Sequence, residues 1–215
     1  VFQDIARELD THAPDAIVLV ASNPVDPMTY VMQQCSRRPR ERVIGTGTML
    51  DTTRLRTLLA EHFRVDPRSV HALILGEHGD SEFAVWSRAN IGGTPIRGTR
   101  LLGEPCDGAF LDGLLEEVRQ AAYRIIERKG YTNWAIGLVI AHLARTILED
   151  QGSILPVSVR LGGEYDLEGV CLSIPVRIGV DGAAERLPPP LEPAELAALE
   201  RSAGVLGEGL RSLGI

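Results

Sequence analysis

The run Leu75-Gly76-Glu77-His78-Gly79-Asp80-Ser81 sets one histidine among two glycines and two carboxylates. Imidazole has its ordinary pKa near neutrality, so His78 is a candidate proton shuttle, and Gly76 and Gly79 would let a substrate come close to it. A lone histidine also serves as a structural residue, so the rest of the chain must supply its chemistry. The second constellation is Gly45-Thr46-Gly47-Thr48-Met49-Leu50-Asp51-Thr52-Thr53-Arg54. On a helix, Asp51 and Arg54 share one face. By itself such a pair is an ordinary surface ion pair. Here it follows a Gly-x-Gly turn at the expected carboxyl end of a sheet strand, where α/β proteins bind ligands.

The elements that must hold these residues read as follows. Val1, Phe2, Ile5 and Leu9 fall at helical spacing and the chain does not begin with Met, which leads to the expectation of a fragment opening inside an amphipathic helix. The apolar run Ala16 to Ala21 predicts a strand buried on both faces, hence a parallel sheet. A helix from Pro27 to about Ser36, with Met28, Val31 and Met32 on one face, and a strand from Arg42 to Gly45 complete a βαβ unit. Leu50, Leu55, Leu58, Leu59 and Phe63 mark a helix that carries Asp51 and Arg54. Val70 to Leu75 and Phe83 to Trp86 predict two strands joined by the His78 turn. Helices are expected at Leu111 to about Arg128, Thr132 to about Glu149 and Pro193 to about Leu213. Alternating segments at Ile154 to Leu161 and Val170 to Val180 predict antiparallel strands. The fold class is therefore α/β: the C-terminal half of a Rossmann-type parallel sheet, followed by an α+β catalytic domain with antiparallel strands. The change of character near Gly45 suggests domains at 1–45 and 46–215.

Composition narrows the partners. With 215 residues, 44% hydrophobic content and a net charge of −7, the chain reads as a globular protein with no general grip on nucleic acid. The cluster Arg37, Arg38, Arg40 and Arg42 is expected on a solvated loop. No apolar run approaches the roughly 20 residues that span a bilayer, and no leader peptide is visible, so a cytoplasmic location is expected. Cys35, Cys106 and Cys171 are widely spaced, with no Cys-x-x-Cys pair; reduced thiols and no metal site are expected.

In order and spacing, Ser22-Asn23-Pro24-Val25-Asp26, the run from Gly45 to Arg56 and the His78 heptapeptide resemble the lactate/malate dehydrogenase family. Gly130-Tyr131-Thr132-Asn133-Trp134-Ala135-Ile136-Gly137 resembles its lactate dehydrogenase branch. The resemblance implies reversible hydride transfer between NADH and pyruvate, giving L-lactate. His78 would be the acid/base and Asp51 would hold its tautomer and charge. Arg54 would clamp the substrate carboxylate with a two-pronged hydrogen bond that lysine cannot reproduce. Asn23 would lie beside the substrate oxygen and the nicotinamide ribose, although an Asx turn before Pro24 would also explain it. Thr46 stands where the family usually has serine against the nicotinamide carboxamide. Thr132 would line the pocket for the substrate's side chain and Ile136 would press on the nicotinamide; both are equally readable as plain helix-start and core residues. Arg56 and His71 match residues that bind fructose 1,6-bisphosphate in allosteric members. A homotetramer, and a place in glycolysis and fermentation, are implied in the same way.

No Gly-x-Gly-x-x-Gly turn follows a strand, so the adenosine half of an NAD site and the loop that chooses the substrate are expected to lie outside this chain. Two alternatives stay open: another 2-hydroxy acid, such as malate, as substrate, or a catalytically silent oligomerisation fragment. The joint presence of His78, Asp51, Arg54 and Asn23 weighs against the latter, because packing alone does not demand a buried ion network.

Overall fold

The computed structural model describes residues 1–98, 100–130, 133–212 and 214, without the side chains of 125, 126, 128 and 129. Helix α1 (Phe2–His12) leads to β1 (Val18–Val20), α2 (Val25–Cys35), β2 (Val43–Gly45) and α3 (Met49–Phe63). Two-residue strands follow: β3 (Val70–His71), β4 (Ile74–Leu75), β5 (Phe83–Ala84), β6 (Asn90–Ile91), β7 (Thr94–Pro95), β8 (Arg100–Leu101) and β9 (Glu104–Pro105). The chain continues through α4 (Gly108–Lys129), α5 (Trp134–Leu148), β10 (Ser153–Gly162), β11 (Glu168–Gly179), β12 (Gly182–Arg186) and α6 (Pro193–Ser212).

The fold is mixed α/β, and its main sheet has the order β1-β2-β10-β11-β12. β1 and β2 run parallel, with Val20 opposite Gly45. Gly45 also faces Ser158, which joins β2 antiparallel to β10, and β10, β11 and β12 continue antiparallel. The parallel and antiparallel strands thus form one sheet. The contact is close at its seam: a Cβ on Gly45 would sit 2.3 Å from Thr29 Oγ1 and 2.8 Å from Ser158 Cβ. Leu172, Ile174, Val176 and Ile178 are fully buried in the largest core cluster with Leu143, Val157 and Leu199. Each buried side chain of this size contributes about 1.5–3 kcal/mol.

Four expectations need correction. β1 is an edge strand, and Ile17, Val18 and Leu19 are only partly buried. Val70 to Leu75 is not one strand: β3 pairs with β6 and β4 with β5, so the segment serves two small sheets. Residues 170–176 do not alternate in burial, because α2 and α6 both pack on β11 and its serine, Ser173, is as buried as its neighbours. The arginine cluster is not uniformly solvated. The Arg38 side chain is 1% exposed and binds Asp10, the carbonyls of Leu9 and Ala13 at the end of α1, and that of Ala16 at 3.0 Å. It adds a charged donor at the carboxyl end of α1, where the helix dipole favours a cation.

Candidate active site

Ser173, fully buried in β11, sets the register between α3 and the His78 loop. Its hydroxyl accepts from Thr48 N at 3.0 Å, and its backbone exchanges hydrogen bonds of 2.9 and 3.1 Å with Gly76. Thr52 Oγ1 accepts from Ile74 N at 3.0 Å, fixing the first turn of α3 to β4. Two glycines are required here. Gly47 has φ +51° and a Cβ on it would meet Ser158 N at 2.6 Å; Gly76 has φ +90° and would meet the Ser202 hydroxyl. Gly79, by contrast, has no left-handed φ; its Cβ would only crowd the Glu77 side chain. α6 steadies the far side of the loop, where Ser202 Oγ donates to Ser81 O at 2.8 Å.

On this frame His78 Nδ1 lies 2.6 Å from Asp51 Oδ2, and Arg54 Nη1 lies 3.4 Å from Asp51 Oδ1. Asp51 is 3% exposed. Its carboxylate holds the proton on Nδ1, which leaves Nε2 as the imidazole atom able to exchange a proton with a ligand. Burial opposes the imidazolium, but the hydrogen bond and charge of Asp51, with the more distant charge of Asp26, outweigh it and raise the His78 pKa; Arg54 works against the rise. Arg54 Nη2 is buried with no partner among the described residues. A guanidinium with one arm on Asp51 and another unspent is suited to an anionic ligand.

His78, Asp51, Arg54 and Asn23 border one cleft of about 410 Å³, together with Pro24, Glu82, Arg119 and Tyr123. Asn23 is exposed at its rim, on the loop after β1, and the Asn23–Pro24 peptide is cis. Thr46 and Ile136 do not line this cleft. Thr46 is buried at the end of β2, where its N–H donates to Val20 O at 2.9 Å, and Ile136 packs against the main core. Thr132 lies outside the described residues. Arg56 and His71 sit elsewhere: Arg56 Nε donates to Ala72 O at 2.8 Å, beside the exposed His71.

Three residues of this region were not legible in the sequence. Asp26, fully buried, accepts from His78 N at 2.8 Å, so α2 holds the backbone of the histidine itself. Burial raises its carboxyl to about 6, against the hydrogen bond from the His78 backbone and the charge of His78. Glu82 is 2% exposed beside Asp51, and Arg119 reaches the cleft from α4. The motif Asn-Pro-Val-Asp contained Asp26, and Glu82 stands four residues after His78; nothing in the spacing of Arg119 pointed to it. The donor atoms of Asp51, His78 and Glu82 lie within 4.8 Å of one another, close enough for a cation. Asp51 has already committed both oxygens, one to His78 and one to Arg54.

Residues 1–45 match the family model described as lactate/malate dehydrogenase, NAD binding domain, and residues 48–212 match its alpha/beta C-terminal domain. The chain is 51% identical over 213 residues to an L-lactate dehydrogenase of Salinibacter ruber, covering 99% of this chain and 67% of that protein. It is 48% identical over 211 residues to an L-lactate dehydrogenase of Gloeobacter violaceus, covering 98% of this chain and 64% of that one. The chain thus spans about two thirds of the length of these relatives. Among solved structures it is similar to the ligand-bound minor L-lactate dehydrogenase of Enterococcus mundtii, with a TM-score of 0.93 and 40% identity over 98% of this chain and 67% of that one.

Proposed function

The chain belongs to the lactate/malate dehydrogenase family, and on that premise we propose that it serves NAD-dependent L-lactate dehydrogenation, the interconversion of pyruvate and L-lactate. The observation that carries this reading is the cleft in which the His78–Asp51 couple stands beside the unspent arm of Arg54. A 2-oxo acid asks for both parts: a cation for its carboxylate and a proton donor for its ketone oxygen.

The residues present fit the nicotinamide end of the cofactor. The exposed Asn23 amide lies at the carboxyl end of the parallel pair and borders the same cleft as His78. Bound NAD supplies or accepts the hydride at the substrate's carbinol carbon. Arg54 orients the substrate carboxylate, His78 Nε2 gives its proton to the ketone oxygen or takes it back, and Asp51 stabilises the charged imidazole throughout. Thr46 and Ile136 are further assigned to the nicotinamide side, and Thr132 to the substrate's side chain, on the family resemblance. The division into a dinucleotide-binding part, 1–45, and a catalytic part, 46–215, belongs to the same reading.

Regulation and assembly follow as finer parts of the proposal. Arg56 and His71, neighbours where α3 meets β3, suit the phosphates of fructose 1,6-bisphosphate. Trp134, 76% exposed, and Leu138, 74% exposed, lie one turn apart on α5 and support burial against another subunit of a homotetramer. Free thiols at Cys35, Cys106 and Cys171 support a reducing, cytoplasmic setting. The test of the reaction is NADH oxidation by the purified full-length protein with pyruvate and with oxaloacetate. Preference for pyruvate is expected; preference for oxaloacetate would move the assignment to malate. An unchanged pyruvate saturation curve with and without the bisphosphate would remove the regulatory part.

A further inference from the structure

Glu82 brings a second buried carboxyl into the heart of the cleft. Its N–H donates to Gly79 O at 3.1 Å and its carbonyl accepts from Arg119, so its backbone is locked between the histidine loop and α4. Its side chain approaches the Asp51–His78 couple, and Oε1 has no hydrogen-bond partner among the described residues. The groups that face it are Asp51 and Arg54 from α3, His78 from the preceding loop and Arg119 from α4.

Two carboxylates this close in a dry site cannot both stay ionised; one takes a proton and can then donate it in a hydrogen bond to the other. Asp51 is the one held ionised by geometry, because its oxygens already face an imidazole and a guanidinium. Glu82 has Arg119, Arg54 and His78 near it, but its Oε1 has no hydrogen-bond partner among the described residues: burial first, then the charge of Asp51, push its carboxyl far above the usual range, more than Arg119 and Arg54 pull it down. A neutral Glu82 also spares an anionic substrate a second negative charge beside His78.

We propose that Glu82 is a positioning residue that, as a carboxylic acid, hydrogen-bonds Asp51 and keeps that carboxylate aimed at His78 Nδ1. The inference deepens the proposed reaction and rests on it only for its effect on turnover. It makes a distinction that simple packing would not. Glutamine keeps both the shape and the donor, whereas leucine keeps the bulk and loses the donor, leaving Asp51 a stronger partner for the imidazolium.

The experiment is the NMR titration of the His78 ring in the purified protein, wild type, Glu82→Gln and Glu82→Leu, with kcat and pyruvate KM measured alongside. Glu82→Gln is expected to keep the His78 midpoint within ~0.3 pH and kcat within ~3-fold. Glu82→Leu is expected to raise the midpoint by ~0.5 pH or more and to lower kcat ~10-fold, with KM within ~3-fold. A fall of ~1 pH in the midpoint of Glu82→Gln would mean that an ionised Glu82 had been removed, and would overturn the proposal. So would a Glu82→Leu protein matching wild type in both readouts. Should the leucine variant fail to fold, the glutamine arm decides. The titration needs no substrate, so wild-type inactivity on pyruvate would count against the reaction while leaving Glu82 to be judged by the midpoints.

Discussion

His78 Nδ1 and Asp51 Oδ2 stand 2.6 Å apart although 27 positions separate them, because both are registered on Ser173 of β11. Asp51→Asn keeps the shape but offers the imidazole an amide in place of a charge. The expected result is a kcat lower by ~10²–10⁴-fold and a lowered His78 pKa, read from steady-state rates and ring titration. The raised pKa also bears on stability. The folded state binds the His78 proton more tightly than the unfolded chain does, so the couple stabilises fully below pH 6.5 and loses that contribution as pH rises through the folded value. The stability gap between wild type and Asp51→Asn should accordingly narrow on that rise.

Arg54 has one arm near Asp51 and one buried arm without a partner among the described residues. Arg54→Lys supplies a single point charge, so kcat/KM for pyruvate is expected to fall by ~10²-fold or more, mostly through KM, while the fold persists. Steady-state rates with circular dichroism check both halves.

Asp26 gives a pH signature of the same sign at lower pH. Its folded pKa of about 6 exceeds the ordinary 3.8, so the folded state holds the proton more tightly and stability falls as pH rises from about 4 to about 6. The gap corresponds to ~3 kcal/mol. Asp26→Asn retains an oxygen for the His78 N–H and removes the buried charge. Relative to wild type it should gain about that much stability between pH 4 and pH 7, as read from urea midpoints.

Arg38 tests the frame rather than the site. Removing its guanidinium in Arg38→Leu leaves Asp10 and the carbonyls at the end of α1 without their shared donor. A loss of ~3–5 kcal/mol in urea unfolding is expected, with partial recovery when Asp10→Asn is added.

The elements that the sequence made plain are those whose pattern is local. Leu55, Leu59 and Phe63 recur at helical spacing and are buried on α3 as that spacing requires. The order of the motifs around Asn23, Asp51 and His78 was enough to bring these residues to one cleft. What stayed hidden depends on partners far along the chain. Gly45 meets Ser158 across the seam of the sheet, and Arg38 looks like a surface arginine until α1 folds over it. Glu82 follows the histidine motif as one more acidic residue; only the packing of α3 and α4 shows that it is buried against Asp51 with Oε1 unpartnered among the described residues.

In the proposed reaction His78 exchanges the proton of a 2-oxo acid held by Arg54. Its most direct test is pyruvate-dependent NADH oxidation by wild type and His78→Asn at pH 7. Wild type is expected to turn over, and His78→Asn to have its kcat reduced by ~10³-fold or more with the fold intact. Turnover unchanged by His78→Asn would contradict this role.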